Sequence, residues 1–267
     1  MTVDPAWLFC PADRPDRYAK AAAAADVVIL DLEDAVAPAD KDAAREALVA
    51  TQLDPARTVV RVNGADTAAH SDDLSALART DYRQLMLPKC ESPGDVAALG
   101  SYQVIALIES ARGVLAAASV AAVDNTVGMM WGAEDLIASL GGSSTRRADN
   151  SYRDVPIHLR STVLLAAKAH GRFALDGVHL DIKDLDGLRD EALDAVAVGF
   201  DATVAIHPSQ VPVIRAAYTP DPADVEWAQR VLAAAEQERG VFQFEGRMVD
   251  GPVLLHAERL LRRSPTR

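Results

Sequence analysis

Two apolar runs in the sequence end at acidic residues, and these acids are the first candidates for chemistry. Residues 127–131 (VGMMW) are followed by GAED, which ends in Asp135, and the run QVIALI is followed by Glu109. An apolar run closed by a polar turn is typical of a buried parallel strand entering a loop, and such loops carry the chemistry of parallel α/β folds. We expect Glu109 and Asp135 to meet at a barrel mouth and hold one divalent metal. Mg²⁺ fits, because it prefers a few carboxylates and keeps several waters. A pair of helix caps or surface acids is the alternative.

Arg61 lies inside a β-branched run, VVRVN, where a charged side chain needs a partner. A buried arginine requires an acidic residue or a ligand. Its planar fork suits a carboxylate or a developing enolate oxygen. The sequence therefore leaves two interpretations of Arg61, a contact to substrate or a structural salt bridge.

Another buried run, VVILDLEDAV, ends in a group of acids. Acidic side chains at the end of a buried strand are costly unless they neutralise cations. We expect Glu33 and Asp34 to lie behind the metal and to accept hydrogen bonds from its bound water. Asp34 could instead simply cap the segment that follows.

Several cationic residues follow other strand-like runs. Arg14 comes after the first run and Lys89 after the fourth, and either could bind an anionic ligand at the start of a helix. Arg17 and Arg147 are expected to be solvated surface charges. His207, which precedes a proline after the eighth run, is expected to be structural.

The elements that must position these residues alternate between strand-like and helical patterns, which indicates a mostly parallel sheet. Eight such units fit a (β/α)₈ barrel. A doubly wound open sheet is the alternative, although no Gly-x-Gly-x-x-Gly follows the first run, which weighs against a dinucleotide-binding version. The strand-like runs are 7–10, 27–31, 58–62, 84–87, 104–108, 127–131, 177–180 and 203–206.

Two segments lie outside this repeating pattern. Residues 141–155 contain a glycine- and serine-rich stretch, which predicts a mobile loop at the active face that could act as a lid. The remainder, from Asp221-Pro222 onward, begins a strong helix and is surplus to a barrel. We therefore predict a barrel over residues 1–218 and a C-terminal helical extension over 219–267 that packs on the barrel or on a neighbouring subunit.

Composition limits the possible partners and the compartment. The net charge of −12 argues against nucleic acid and anionic membranes as main partners. The two cysteines, Cys10 and Cys90, form no disulfide framework and are expected to be packing residues in a reduced, cytoplasmic protein. The N-terminus does not have the pattern of a signal peptide, and no apolar run approaches the ~20 residues of a membrane span.

A series of motifs occurs in a recognisable order: PADRPDRYAKA, VVILDLEDAVAP, VVRVN, MLPK, LIESARGV, WGAEDL, IHPSQV and GRMVDGPVL. Together they resemble the citrate lyase β-subunit-like branch of the HpcH/HpaI aldolase superfamily, over nearly the whole chain. The resemblance implies a (β/α)₈ barrel that is a homo-oligomer, a trimer or hexamer, and that uses Mg²⁺ and acyl-CoA thioesters.

The resemblance also implies roles for residues of the matching motifs. Glu109 of LIES and Asp135 of GAED would be the metal ligands. Arg61 of RVN would contact the carboxylate and oxo group of the substrate. The backbone amides around Ala133 and Glu134 would hold the substrate carboxylate.

Three further residues acquire roles from the same resemblance. Arg14 and Lys89 would lie near the bound CoA. Asp250 of MVD matches an acid that reaches the site of a neighbouring subunit in related malyl-CoA lyases, where it would exchange a proton with the substrate. Asp250 also precedes Gly251-Pro252 and could merely cap the last helix.

The implied reaction is the cleavage of a 3-hydroxyacyl-CoA, of malyl, citramalyl, 3-hydroxy-3-methylglutaryl or citryl type, to an acyl-CoA and a 2-oxo acid or ketone. Two other enzymes are open alternatives: a citrate lyase β subunit that acts on an acyl-carrier-protein thioester, and a CoA-independent oxo-acid aldolase. The alternative that is not an enzyme is a metabolite-binding scaffold protein that retains the barrel.

Overall fold

A closed barrel of eight parallel strands forms the main unit of the computed structural model, which describes residues 3–238 and 240–264. Each strand pairs with the next in chain order, and the eighth pairs with the first. The predicted (β/α)₈ fold is thereby confirmed. The strands are β1 Ala6–Pro11, β2 Val27–Asp31, β3 Thr58–Arg61, β4 Gln84–Leu87, β5 Gln103–Ile108, β6 Thr126–Trp131, β7 Phe173–Asp176 and β8 Ala202–Ala205.

Helices connect the strands, and several begin at the polar residues that the sequence offers as caps. Ser110 accepts a hydrogen bond from the backbone of Gly113, and Ser92 closes a capping box with Asp95. The helices of the barrel unit are α1 Pro15–Ala24, α2 Lys41–Ala50, α3 Ala68–Leu77, α4 Pro93–Ala97, α5 Ala111–Ala121, α6 Ala133–Ser139, α7 Asp154–Ala169 and α8 Leu185–Val198; α9 is Val211–Tyr218.

The barrel interior is filled by one cluster of buried side chains that alternate along the strands with residues facing the helices. Its members are Trp7, Ile29, Val59, Met86, Ile105, Leu107, Met130, Leu175, Ala202 and Val204. Since side chains on one face of a strand recur every second residue, Asp31 and Arg61 follow Ile29 and Val59 on the interior face, and Glu109 follows Leu107. Asp31, Arg61 and Glu109 thus lie in the layer next to the apolar core, at the carboxyl ends of the strands.

The seventh strand lies earlier than the sequence pattern predicts. The sequence predicts this strand over the apolar run 177–180, but β7 is Phe173–Asp176 and the run forms the loop that follows it. The first residue of that run, Gly177, passes close to Trp131, since a Cβ there would lie 3.1 Å from the indole Cε2. The run is apolar because Val178 and Leu180 line the cavity at the barrel mouth, not because it belongs to the sheet.

A second compact unit begins at Arg215 and contains the C-terminal elements. These are α10 Pro222–Ala235, a hairpin of β9 Phe242–Phe244 and β10 Arg247–Val249, and α11 Gly251–Arg263. Ala228, Val231, Val249 and Ala257 form its core. The boundary predicted after residue 218, and the surface on which the extension packs, remain predictions.

No helix in the described part of the chain combines the length and hydrophobicity needed to cross a bilayer.

Candidate active site at the barrel mouth

A cavity of about 430 Å³ opens at the carboxyl ends of the barrel strands. Apolar side chains such as Phe9, Leu107 and Met130 form part of its lining. Arg61, Glu109, Asp135 and other polar residues line it as well. A mostly apolar pocket with a few convergent charged groups is the usual form of a small-molecule site.

Glu109 and Asp135 both line this cavity, as the sequence predicts. Glu109 is only 3% exposed, and its Oε1 accepts a hydrogen bond from the backbone N–H of Lys89 at 2.9 Å. Burial, together with the nearby charges of Asp135 and Glu33, raises the pKa of Glu109 to about 8. Two carboxylates held this close favour a bound cation.

Gly132 creates the space that Glu109 occupies. A Cβ at this position would lie 2.5 Å from Oε2 of Glu109 and 2.9 Å from its Cβ. Any side chain at residue 132 would therefore displace the Glu109 carboxylate. The glycine of GAED is required by this close approach.

Arg61 points into the cavity and is held by two acids. Its Nε and Nη2 donate to Asp31 at 2.7 and 2.6 Å, so the pair is bidentate. Its Nη1 lies 3.0 Å from Glu33 Oε2, outside hydrogen-bonding geometry, so this contact is purely Coulombic. The guanidinium also lies 4.7 Å from the centre of the Phe9 ring.

Among the described residues, the two hydrogen bonds to Asp31 leave three of the five N–H groups of Arg61, one on Nη2 and both on Nη1, without a hydrogen-bonded acid. The salt bridge and the substrate contact that the sequence left as alternatives are therefore compatible.

Lys89 carries the second cation of the site. Its ammonium group contacts Glu33 and lies 3.5 Å from Asp135 and 3.9 Å from Asp34. Its backbone adopts a φ of 50°, in the left-handed region that few residues other than glycine occupy. This conformation lets one residue present its N–H to Glu109 and its side chain to the neighbouring acids.

The loop after β2 that carries Glu33 is held by hydrogen bonds to Asp31 and Lys41. The carboxylate of Asp31 accepts hydrogen bonds from the backbone N–H groups of Glu33 and Ala35. Lys41 donates to the carbonyls of Leu32 and Glu33 at 2.8 and 3.0 Å. Glu33 is buried and its pKa is raised, chiefly by desolvation, whereas Asp34 is exposed at the cavity edge.

The GAED segment turns from β6 into α6, with Gly132 at the N-cap and Ala133 and Glu134 in the first turn. First-turn amides have no acceptor within their own helix. The side chain of Glu134 accepts a hydrogen bond from Thr145 at 2.8 Å. Glu134 is thus tied to the following loop, while Asp135 faces the cavity.

The predicted mobile loop is tied to the rest of the barrel unit. Arg146 and Tyr152 form a β-bridge, and the Arg146 guanidinium stacks 3.8 Å from the Tyr152 ring centre. Arg146 also pairs with Glu191 at 2.5 Å. These contacts tie the loop to the rest of the barrel unit and place Tyr152 in the wall of the cavity, and the mobility of the loop as a lid remains a prediction.

Other predicted residues lie elsewhere. Arg14 occupies the N-cap position of α1 and its guanidinium makes two hydrogen bonds to Asp16, at 3.0 and 2.9 Å. Asp250 is the N-cap of α11 and accepts from Val253. Cys10 and Cys90 are buried, and desolvation raises the pKa of their thiols to about 11 and about 12.

The residues present fit a hard divalent cation. Among the described residues no group of three or more histidines, cysteines or acids is arranged to enclose a metal. Glu109 and Asp135 alone would leave several coordination positions for water and substrate oxygens, as Mg²⁺ prefers. Burial is the main cause of the raised pKa of Glu109 and the charges of Asp135 and Glu33 add to it, so a bound cation would favour the ionised carboxylate.

Comparison with known proteins decides the family. The sequence model of the HpcH/HpaI aldolase/citrate lyase family matches residues 6–208, which is most of the chain. The chain belongs to the HpcH/HpaI aldolase/citrate lyase family. It is 66% identical over 260 residues to a citrate lyase subunit beta-like protein of Mycobacterium tuberculosis, covering 97% of this chain and 95% of the relative.

Two further family members are informative. A (3S)-malyl-CoA thioesterase of Cereibacter sphaeroides is 36% identical over 268 residues, with 95% of this chain and 92% of the relative covered. The crystal structure of M. tuberculosis CitE with magnesium, acetoacetate and coenzyme A superposes with a TM-score of 0.94, at 66% identity and 98% coverage of each chain.

Sequence reasoning missed two contributors to the site. Asp31 was noticed only as part of an acidic group, yet it is the bidentate partner of Arg61. The signal was available, because Asp31 and Arg61 end consecutive strands and are register partners. The requirement for Gly132 depends on the position of the Glu109 side chain, which no local pattern specifies.

Proposed function

We propose that this chain is a Mg²⁺-dependent carbon–carbon lyase. It would cleave a 3-hydroxyacyl-CoA to an acyl-CoA and a 2-oxo acid or ketone. The observation that carries the proposal is the buried Glu109 together with the half-exposed Asp135, both lining one mostly apolar cavity with Arg61, within a family of aldolases and citrate lyases. The magnesium, acetoacetate and coenzyme A bound by M. tuberculosis CitE support the same chemistry.

Glu109 and Asp135 would hold the Mg²⁺, which supplies Lewis-acid polarisation of the substrate's oxygen atoms when it is bound. The first-turn amides of Ala133 and Glu134 would orient the substrate carboxylate. The remaining N–H groups of Arg61 would face the oxygen that gains negative charge, and Asp31 and Glu33 keep that guanidinium from turning away.

The reaction needs one bond broken and one proton moved. The 3-hydroxyl loses its proton to solvent water, and its oxygen becomes the carbonyl of the 2-oxo acid or ketone. The bond between carbons 2 and 3 breaks, and its electron pair passes into the thioester as an enolate. A proton delivered to carbon 2 then completes the acyl-CoA, and Asp250 of a neighbouring copy is the acid that we assign to this step.

The CoA moiety would lie near Arg14 and Lys89, and a homo-oligomer, a trimer or hexamer, would bring Asp250 to the site. Asp16 already neutralises part of the charge of Arg14. A phosphate or pyrophosphate of CoA would therefore have to compete with an exposed carboxylate, which is a weak competitor. A cytoplasmic setting is proposed because the buried cysteines are free thiols.

Thioester hydrolysis is the second candidate, because one relative is a (3S)-malyl-CoA thioesterase. Hydrolysis would release free CoA and a hydroxy acid, whereas cleavage would release an acyl-CoA. The two reactions are therefore separated by the mass of the thiol-containing product.

The experiment is a product assay on malyl-, citramalyl-, 3-hydroxy-3-methylglutaryl- and citryl-CoA, with Mg²⁺ and with EDTA. Mass spectrometry should detect a shorter acyl-CoA and the matching carbonyl compound only when Mg²⁺ is present. Free CoA in their place would establish the thioesterase. Folded, metal-loaded protein that acts on none of the four thioesters would rule out the proposed reaction for these substrates and favour the carrier-protein or scaffold alternatives.

A further inference from the structure

A charged cluster, Asp176 with its partner Arg160 of helix α7, does not line the barrel-mouth cavity but helps to line a second cavity, of about 390 Å³, that shares Trp131 with it. Asp176 ends β7 and is 5% exposed. Its carboxylate accepts two hydrogen bonds from Arg160, at 2.9 and 3.0 Å, and one from the indole N–H of Trp131, at 2.6 Å. Arg160 also pairs with Asp194 at 2.6 Å. One carboxylate thus joins α7, β6 and β7 at the carboxyl end of the barrel.

Stability alone is a weak reason for this cluster. Desolvating an ion pair costs about as much as the pair returns, and well-packed apolar residues often do as well or better. The buried residues of α7 itself are apolar, among them Val163 and Ala166. The cluster gives something that apolar packing does not, which is a fixed direction for the Trp131 indole.

Trp131 is the residue immediately before GAED, so the orientation of its side chain affects the path of the site loop. Its backbone neighbour is Gly132, whose position leaves no spare room beside Glu109. The indole is 2% exposed and is confined by Gly177, where a Cβ would lie 3.1 Å away. The ring of Tyr152, a wall residue of the cavity, packs edge-on against it with 5.3 Å between ring centres.

We propose that Asp176, held by Arg160, is a positioning residue that fixes the GAED loop through the Trp131 indole. The proposal rests on the proposed function, since that loop would supply Asp135 to the metal and the Ala133 amide to the substrate carboxylate. Asp176 is not among the residues that line the barrel-mouth cavity and would contact neither substrate nor metal there. Its effect is on the placement of Asp135 and of the Ala133 amide. Loss of a residue that orients metal-binding groups typically costs 10- to 100-fold in metal affinity or activity.

The chain offers matched controls for both residues. Trp131→Phe and Trp7→Phe each remove an indole N–H donor from a tryptophan that is 2% exposed, but Trp7 lies at the other end of the barrel and donates to the Asp4 carbonyl. Asp176→Asn and Asp201→Asn each weaken an ion pair to α7. Asp201 pairs with Lys168 and lies before β8, at the amino end of the strands.

The measurement is calorimetric titration of the intact wild-type protein and the four variants with Mg²⁺ in the presence of pyruvate, as the probe 2-oxo acid, alongside thermal midpoints. We expect Trp131→Phe and Asp176→Asn to raise the Mg²⁺ Kd by 10- to 100-fold. Trp7→Phe and Asp201→Asn should keep the wild-type Kd despite similar shifts in melting temperature. Equal binding in all five proteins, or equal loss in site variants and controls, would overturn the proposal.

A second measurement uses the wild-type protein and does not depend on the variants folding. Each of the three tryptophans contributes one indole N–H signal to a ¹⁵N correlation spectrum. Mg²⁺ with pyruvate should shift the Trp131 signal and leave that of Trp7 in place. Binding without a Trp131 shift would contradict the positioning role, whereas wild-type protein that binds neither Mg²⁺ nor pyruvate would contradict the proposed function itself.

Discussion

At the scale of single residues, the barrel mouth gathers more acid than its own cations neutralise. Five carboxylates, those of Asp31, Glu33, Asp34, Glu109 and Asp135, lie around two cations, Arg61 and Lys89. Arg61 is paired with Asp31 and Glu33 and also interacts with Glu109, so Glu109 and Asp135 share part of the Arg61 charge and the ammonium of Lys89. The excess negative charge is what a divalent cation would neutralise.

Gly132→Ala tests the packing around Glu109 without changing a charge. The added methyl group would lie 2.5 Å from Glu109 Oε2, so the carboxylate must move. We expect Mg²⁺ affinity to fall by roughly 10- to 100-fold, as for other changes that misplace metal ligands. Isothermal titration calorimetry measures it. Gly94→Ala in α4, where the nearest atom would be Ser92 Oγ at 3.4 Å, is the matched control and should bind normally.

His179 makes a separate contribution that depends on pH. Its Nδ1 is hydrogen-bonded to Glu191 at 2.8 Å, and Asp184 lies 3.4 Å from its Nε2. The bond to Glu191 raises the pKa of His179, despite burial and the nearby Arg146. Protonated His179 is therefore favoured in the fold, and its stabilisation is complete below the ordinary value of 6.5 and is lost as the pH rises through the raised pKa.

Urea unfolding of wild type and His179→Gln at pH 6 and pH 8.5 measures this contribution. The difference in the free energy of unfolding between the two proteins should be larger at pH 6. A difference that is the same at both pH values, or larger at pH 8.5, would contradict the assigned protonation.

Single residues also show where sequence reasoning succeeds. Glu109, Asp135 and Arg61 line one cavity, as predicted, because they end apolar runs whose carboxyl ends must meet in a parallel barrel. Their roles in metal and substrate binding remain predictions. The partnership of Arg61 with Asp31 was left open, because it depends on register between strands, and the need for Gly132 depends on side-chain packing.

At the scale of elements, one prediction is wrong, the position of the seventh strand, and one stays open, the mobility of the loop before α7. The run 177–180 is apolar because it lines the cavity, and apolarity alone does not distinguish a strand from a buried loop. The loop 141–153 is polar and glycine-rich, yet Arg146, Tyr152 and Thr145 make contacts that connect it to the rest of the barrel unit. Both loops derive their order from contacts with distant residues, which local composition does not report.

Thr145→Val tests whether the loop is a fixed wall. Valine preserves the shape of threonine but removes the hydrogen bond to Glu134. The loss of about 0.5–1.5 kcal/mol should speed hydrogen exchange across residues 141–153 by roughly 2- to 10-fold. Thr58→Val, which removes a hydrogen bond to the Asp54 carbonyl before β3, should leave this loop unchanged. If hydrogen exchange across residues 141–153 is as fast in the wild type as in Thr145→Val, the hydrogen bond does not hold the loop in place, and the prediction of a mobile lid is favoured.

At the scale of the whole molecule, the barrel follows from the alternation of strand and helix patterns along the chain. The eight-stranded closure and the family are confirmed. The extension is a different case. Asp221 caps α10 as its sequence indicates, but the role of Asp250 depends on how copies assemble, and one chain's sequence contains no measure of that.

Binding of Mg²⁺ to the native state should stabilise the entire barrel unit. At a free concentration 100 times the Kd, the gain is about 2.7 kcal/mol, because the unfolded chain does not form the site. Thermal unfolding with and without Mg²⁺ should show a rise in melting temperature in wild type. Glu109→Gln, which removes one ligand charge, should show a much smaller rise, and an equal rise in both proteins would place the metal elsewhere.

The most direct test of the account is the rate of acyl-CoA release from the preferred 3-hydroxyacyl-CoA, measured against Mg²⁺ concentration for wild type, Glu109→Gln and Asp135→Asn. We predict saturable, Mg²⁺-dependent release by wild type and loss of that release in both variants, whose circular dichroism spectra should remain native. Release that persists in either variant, or that proceeds in wild type with EDTA, would contradict the claim that these two carboxylates hold the metal that the lyase reaction requires.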